Sequence, residues 1–325
     1  MAGKSSRIRW HQQNAYLLEN DRLRVVIVPR MGAKIVSIFD KDLKLEWLVG
    51  PGSRSFKPVS YGASFVEQDL SGWDEMFPTI VACSYPGPEI WNGNALPDHG
   101  EVWTMPWDVL DKSKSELTCA VEGKALPYRL TRTARLGNEK SLDLLYELEN
   151  LGSESFSYIW AAHPQFCCGE NARIDFPDHV QQVVNTLPAN YGWGEPGQVW
   201  GWPESKAEGQ DFIRLNQIGP PILNQARKFF LQPEERIGWV EIQRTKPEAS
   251  LRMEWSPQEI PYFGIWVDEG AISEESVAAP EPTTGFYDSL DTAWNQQEVS
   301  VIKPSQKMSW ILSVFLNEKN SNKGR

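Results

Sequence analysis

From residue 23 onward the chain repeats one device: a short run in which apolar and polar residues alternate, closed by Gly, Pro, Asn or Asp. The clearest runs are LRVVIVP (23–29), AKIVSIFD (33–40), ELTCAVEG (116–123), YRLTRTARL (128–136) and SLDLLYELEN (141–150). SFSYIWAAH, RIGWVEIQR, ASLRMEWS, YFGIWVD and MSWILSVFL extend the series. A period of two is the side-chain repeat of a strand, whereas a helix needs one near 3.6. No amphipathic run of three helical turns interrupts the series, so the strands cannot be joined as parallel βαβ units. An all-β fold is expected, a large antiparallel β-sandwich.

A length of 325 residues suits one such sandwich with a sizeable core. We expect a single domain over 1–316 and a flexible polar tail at 317–325. Within that domain, at about 169–226, Gly, Pro, Asn and Trp crowd together in stretches such as ANYGWGEPGQVWGWPES, without sustained alternation. A long excursion of that kind is usually functional, and we place this insertion near one mouth of the sandwich. The 15 tryptophans suit an all-β core, and also suit stacking on the C–H face of a sugar ring.

Charge and motif content remove several function classes. A net charge of −11 repels a nucleic-acid backbone or an anionic membrane surface. No apolar run approaches a membrane-spanning length, and the start MAGKSSRIRWHQQN lacks the apolar stretch of a secretory signal, so a cytoplasmic location is expected. Cys83, Cys119, Cys167 and Cys168 show no CxxC spacing and are expected to be reduced, mostly buried thiols. Nucleotide-binding, zincin and nucleophile-elbow motifs are absent. HGE at 99–101 would put His99 and Glu101 on one strand face, but two ligands without a third make no metal site, and no metal is expected. Arg30, Lys34, Arg129 and Arg132 are scattered and read as solvated strand faces rather than a phosphate site.

The remaining candidates are histidines and carboxylates. His11, near the start, and His179, in FPDHVQQ, read as surface residues. His163 ends an apolar strand in YIWAAHPQF and precedes a proline that disfavours helix at its position, which suits either a core cap or a residue at a sandwich mouth. His99 precedes Gly100, which admits close approach of a ligand or another backbone. Glu281 stands between Pro280 and Pro282, in a rigid non-helical segment after a strand.

In order and separation, RMGAKIVSIFDKD, DHGEVW, AAHPQF, IPYFGIWVD and APEPTT resemble the aldose 1-epimerase (galactose mutarotase) family over residues 15–316. The resemblance implies an antiparallel supersandwich, a small-molecule sugar substrate and no cofactor. It also implies that His163 is the general acid on the ring oxygen, Glu281 the general base on the anomeric hydroxyl, and His99 a second, sugar-binding histidine. Interconverting anomers removes a proton from O1 and delivers one to O5; the opened carbonyl then turns and closes on its other face. A histidine near its ordinary pKa of about 6.5 and a partly desolvated glutamate could do this at neutral pH.

The chain departs from better-known mutarotases at 62–80, where GASFVEQDLSGWDEMFPTI replaces an Arg-containing segment. We expect Trp73, Asp74 and Glu75 to supply what that Arg supplies, with Asp74 accepting a sugar hydroxyl in place of a missing substrate-binding Asp and Trp73 offering a stacking face. The bland alternative is a structural loop with its Trp in the core. Two other functions stay open: a non-catalytic carbohydrate-binding or regulatory protein, and a glycoside hydrolase or lyase using Asp74 and Glu281 across a cleft. Only the epimerase needs an acid and a base on opposite sides of one ring.

Overall fold

The computed structural model describes residues 4–88, 90–113, 115–137, 140–169, 171–206 and 213–318. The alternating runs form strands close to their expected bounds: Leu23–Val28, Lys34–Asp40, Glu116–Glu122, Tyr128–Leu136 and Ser141–Asn150. In Ser141–Asn150 every second side chain is buried, as alternation demands of a strand with one face on a core. The described residues contain one α-helix, the six-residue Leu290–Asn295.

The described strands build two large antiparallel sheets, of 13 and 9 strands. The middle of the larger sheet runs in the order Lys34–Asp40, Trp73–Met76, Ala161–Pro164, Ser276–Thr283, Tyr262–Glu269, Gln225–Phe230. The middle of the smaller runs Glu248–Trp255, Lys307–Glu318, Ser141–Asn150, Tyr128–Leu136. Residues of both sheets share one core, in which Trp47, Trp73, Trp160, Phe77 and Tyr128 are fully buried.

Four expectations need correction. Segment 169–226 is no mere loop: Ala172–Asp175 joins the smaller sheet, while Gln182–Asn185 and Val199–Gly201 extend the larger. These strands are too short for alternation to register. The final strand, Lys307–Glu318, runs into the expected tail, whose remainder at 319–325 lies outside the described residues. Arg132 and Lys34 are not solvated but buried, each against a carboxylate. Glu281 sits not in a segment that merely follows a strand but inside one, Ser276–Thr283, buried along its whole length in the middle of the sheet.

Two prolines in a central strand would normally break its ladder. Here Thr284 N donates to Trp160 O at 2.9 Å, and in an extended strand the amide positions of 282 and 280 point to that same side. Pairing on that side is recorded at Thr283 with Ala161 and resumes at Ala278 with Phe166, so the missing donors fall in a gap. The same gap leaves room beside Glu281.

Candidate functional site

Register explains why residues far apart in sequence meet. Ala161 lies opposite Thr283 and Phe166 opposite Ala278, which puts His163 level with Glu281. On the far side of that strand Glu281 pairs with Gly264, which pairs with Phe230, so Lys228 is two residues along on the next strand but one. Side chains two apart share a face, so Lys228 and Glu281 point the same way. His163 Nε2 lies 3.8 Å from Glu281 Oε1, and Lys228 Nζ lies 2.8 Å from Glu281 Oε2. Lys228 also holds Asp288, at 2.9 Å.

His99 arrives from a turn rather than a strand. It has φ +58°, a backbone conformation sparsely populated by residues other than Gly, Asn, Asp and His. Its N–H donates to Ile80 O at 2.6 Å and its Nδ1 is 2.9 Å from Asp98 Oδ1. Gly100 follows at φ +68°, and a Cβ there would lie 2.0 Å from Phe77 O, so the close approach that Gly100 permits is that of another backbone. The turn stacks the His99 imidazole on Phe65, with ring centroids 4.1 Å apart, and brings it within 5.0 Å of the His163 ring.

The turn also separates His99 from Glu101. Glu101 is fully buried and accepts from Tyr61 and Tyr128 hydroxyls at 2.7 and 2.8 Å, and from Lys124 and Ala125 amides. The two therefore share no face, and among the described residues no three His, Cys, Asp or Glu side chains gather as a metal ion would need.

A cavity of about 390 Å³ opens over this part of the sheet, within the ~300–1,000 Å³ typical of small-molecule sites. His99, His163, Gln165, Lys228, Glu281 and Asp288 supply most of its polar lining. Burial, reinforced by the positive fields of His99 and Lys228, holds His163 well below the ordinary histidine range. Gln165 Nε2 donates to His163 Nε2 at 3.1 Å, which suits a neutral ring. Burial also pushes Glu281 up to about 7, with Lys228 pulling down and Asp288 pushing up. Around neutrality this pair thus carries at most one proton, and it rests on the carboxyl. A histidine near its unperturbed pKa was expected; desolvation overrides that.

Of the three adjacent residues expected from GWDEMF, none lines the cavity. They form a strand, Trp73–Met76, so they cannot all face one way. Asp74 pairs with His163 and shares its face, but its carboxyl sits 3.1 Å from Lys34 Nζ, which also holds Asp69 at 2.8 Å. Burial pushes Asp74 to about 7 against the pull of Lys34. Trp73 and Glu75 point into the core. Trp73 packs edge-on against Phe166, and Glu75 accepts from Arg132 and Tyr146 of the other sheet, at 2.7 and 2.8 Å, and from Trp160 Nε1 at 3.0 Å. The aromatic ring at the cavity from the large sheet is Trp266, a residue not singled out from sequence. His11 and His179 are exposed, as expected.

The cysteines are free, with Cys119 and Cys168 buried and the other two half-buried. No helix among the described residues is long and apolar enough to cross a membrane. No protein-family model matches the chain, and no curated protein matches it. Solved structures do. A protein from Synechocystis sp. PCC 6803 superposes with a TM-score of 0.72 at 16% identity, covering 96% of this chain and 99% of that one. A galactose mutarotase-like protein from Lactobacillus casei does so at 0.68 and 18%, covering 93% and 100%. The chain has the galactose mutarotase-like fold. A galactose mutarotase related enzyme from Lactobacillus acidophilus shares it, with a TM-score of 0.66 at 16% identity over 94% and 98%. At such identities the mutarotase-like fold is what is shared, and the chemistry must be argued from this chain's own residues.

Lys228, Gln165 and Asp288 are the site residues that sequence reasoning missed. A signal for Lys228 existed: in QARKFFL a lysine interrupts a strand on the same face as Phe230. A cation between apolar neighbours needs a buried partner.

Proposed function

We propose that the protein is a cofactor-independent aldose 1-epimerase that interconverts the α and β anomers of a hexose, with His163 and Glu281 as its acid–base pair. The observation that carries this is the approach of His163 Nε2 to Glu281 Oε1, 3.8 Å apart at the floor of one cavity. O1 and O5 are both bonded to C1, so groups serving them must converge side by side. The expectation of a pair on opposite sides of the ring gives way to this closer requirement.

In the reaction one member of the pair donates its proton to O5 while the other takes the proton of O1, and the ring opens at the C1–O5 bond. After the carbonyl turns, O5 attacks C1 from the other face and both protons return, so the pair ends as it began. The resemblance assigns donation to His163 and acceptance to Glu281; the proton held on Glu281 beside a neutral His163 supports the reverse order, with Glu281 donating to O5 while His163 takes the proton of O1. Each positioned group contributes on the order of 10²- to 10⁴-fold. Lys228 anchors Glu281 Oε2 and leaves Oε1 free for the proton. His99, braced by Asp98 and Phe65, holds a sugar hydroxyl or the ring oxygen.

A hydrolase using Asp74 and Glu281 has less support, because Asp74 is spent on Lys34 and does not reach the cavity lining. The test is two-dimensional NMR exchange between anomers of unphosphorylated aldoses. Cross-peaks growing with enzyme concentration are expected. Binding without exchange for every sugar would leave a carbohydrate-binding protein instead.

A further inference from the structure

We infer that the sugar taken by this cavity is apolar at the end remote from its anomeric carbon, as a 6-deoxy or 6-O-acyl aldose is, and carries no phosphate. This rests on the epimerase reading and adds its substrate class.

The titratable groups of the cavity lie at its buried end, beside the equally buried Phe65, Leu70 and Ile80. Its floor holds the acid–base pair and its supports: Glu281 is 1% exposed, His163 4%, Gln165 6% and Lys228 8%. C1 must go to the floor, because O1 and O5 must reach His163 and Glu281. The opposite end of the sugar then lies toward the rim. There the apolar lining residues are Val66 and Val81, 48% and 46% exposed, with Leu187, Pro188, Tyr191 and Ile272 half-buried or exposed; the half-buried Thr186 and Ser273 lie among them. The six apolar residues come from four separate stretches of chain, and the Tyr191 hydroxyl is their one polar side-chain group.

An unmodified hexose would bring its outer hydroxyls against this rim and strip them of water with only the Thr186, Tyr191 and Ser273 hydroxyls to bond to among six largely apolar residues. A methyl or acyl group in their place would instead remove apolar surface from water on both partners. So large an exposed apolar patch on a soluble chain calls for such a partner. A phosphate is disfavoured on charge. Among the described residues lining the cavity Lys228 is the one lysine or arginine, and it is already paired with Glu281 and Asp288. Asp268 adds a further carboxylate to the wall.

The experiment is exchange NMR on the wild-type protein with glucose, 6-deoxyglucose, 6-O-acetylglucose and glucose 6-phosphate, and with the matching galactose series. The 6-deoxy and 6-O-acetyl sugars are expected to exceed the parent in kcat/KM by about fourfold per buried methyl-sized group. The phosphate is expected to fall below the parent. A parent hexose or its phosphate equal to or better than the 6-deoxy sugar overturns the inference. Exchange for no sugar, while titration calorimetry ranks binding in the expected order, overturns the epimerase reading and keeps this one; binding in any other order overturns this one. Val81→Lys on the exposed rim is expected to raise glucose 6-phosphate relative to 6-deoxyglucose by about tenfold, and an unchanged ratio counts against the apolar rim as the selecting element.

Discussion

Glu75 and Glu281 make an instructive pair. Both stand on strands of the larger sheet with only Ala161–Pro164 between those strands, and they are 0% and 1% exposed. Each has a cation within reach, Arg132 at 2.7 Å and Lys228 at 2.8 Å, and burial raises the pKa of both. Their difference lies in what remains. The oxygens of Glu75 are taken up by Arg132, Tyr146 and Trp160 inside a core. Glu281 Oε1 accepts no hydrogen bond and faces the cavity beside His163, whose Nδ1 is likewise unsatisfied. A buried, counter-charged carboxylate is therefore no sign of function by itself. An unfilled acceptor at a cavity, next to an unfilled imidazole, is such a sign.

The sharpest way to break the comparison is to neutralise each carboxylate in turn. Glu281→Gln keeps shape and removes the carboxyl that carries and exchanges the proton. Anomer exchange is expected to drop about 10²- to 10⁴-fold, with sugar affinity within about tenfold and the denaturant midpoint little changed. Glu75→Gln should do the converse, lowering the midpoint while the surviving folded protein exchanges anomers at near the wild-type rate. If Glu75→Gln silenced exchange without loss of stability, the assignment of roles would be reversed.

The second test concerns the cost of the core pair. Glu75→Ala leaves the Arg132 guanidinium buried and unpaired, and is expected to cost about 3–5 kcal/mol in urea unfolding. The double variant Glu75→Leu with Arg132→Met should recover much of that loss, because removing both charges leaves none stranded. No recovery would mean that the pair does more than balance charge between the sheets.

The same two residues mark how far the sequence could be read. Alternation made the long strands legible, and Ser141–Asn150 matches its expected bounds. Motif order brought His99, His163 and Glu281 to notice; the sheet register brings the last two together, and the turn at His99 carries the first to the same cavity. What failed was the short strand. WDEM is four residues long, too brief for its period to show, so its three polar and aromatic members were assigned to one site when alternation sends them to two. Arg132 was missed for a related reason. In YRLTRTARL the apolar positions are evident, but a buried arginine on the inward face is intelligible only once Glu75 on the other sheet is known. Lys228 and Asp288 likewise acquire meaning from Glu281, which lies across strands that sequence separation does not reveal.

A third test uses the charges around Glu281, which are Lys228 from the strand Gln225–Phe230, Asp288 from the segment after its own strand, and His163 with His99 beyond it. If the pair needs its one proton, kcat/KM should fall as pH rises through about 7, the value to which Glu281 is pushed, and stay high below it until His163 also protonates. Lys228 favours the ionised carboxylate and Asp288 opposes it. Lys228→Met should therefore move this falling limb to higher pH and Asp288→Asn to lower pH, each by on the order of one pH unit. Opposite displacements are the signature of a positioning role, since simple loss of packing would depress both variants without moving their limbs apart.

The smallest expected effect belongs to Asp74, which stands between the two extremes. It shares a face with His163, as Glu281 does, and its oxygens likewise lie by a buried cation without completing a hydrogen bond, yet like Glu75 it does not line the cavity. Asp74→Asn leaves Lys34 held by Asp69 at 2.8 Å and by Ser71 O at 3.1 Å, so no bare charge is created. Exchange should fall by less than about tenfold, worth under ~1.4 kcal/mol, with the pH limb set by Glu281 in place. A loss as deep as that of Glu281→Gln would instead make Asp74 the second working carboxylate. Its ion pair with Lys34 would then have to open when sugar binds, and the boundary between cavity and core would lie one strand further into the sheet.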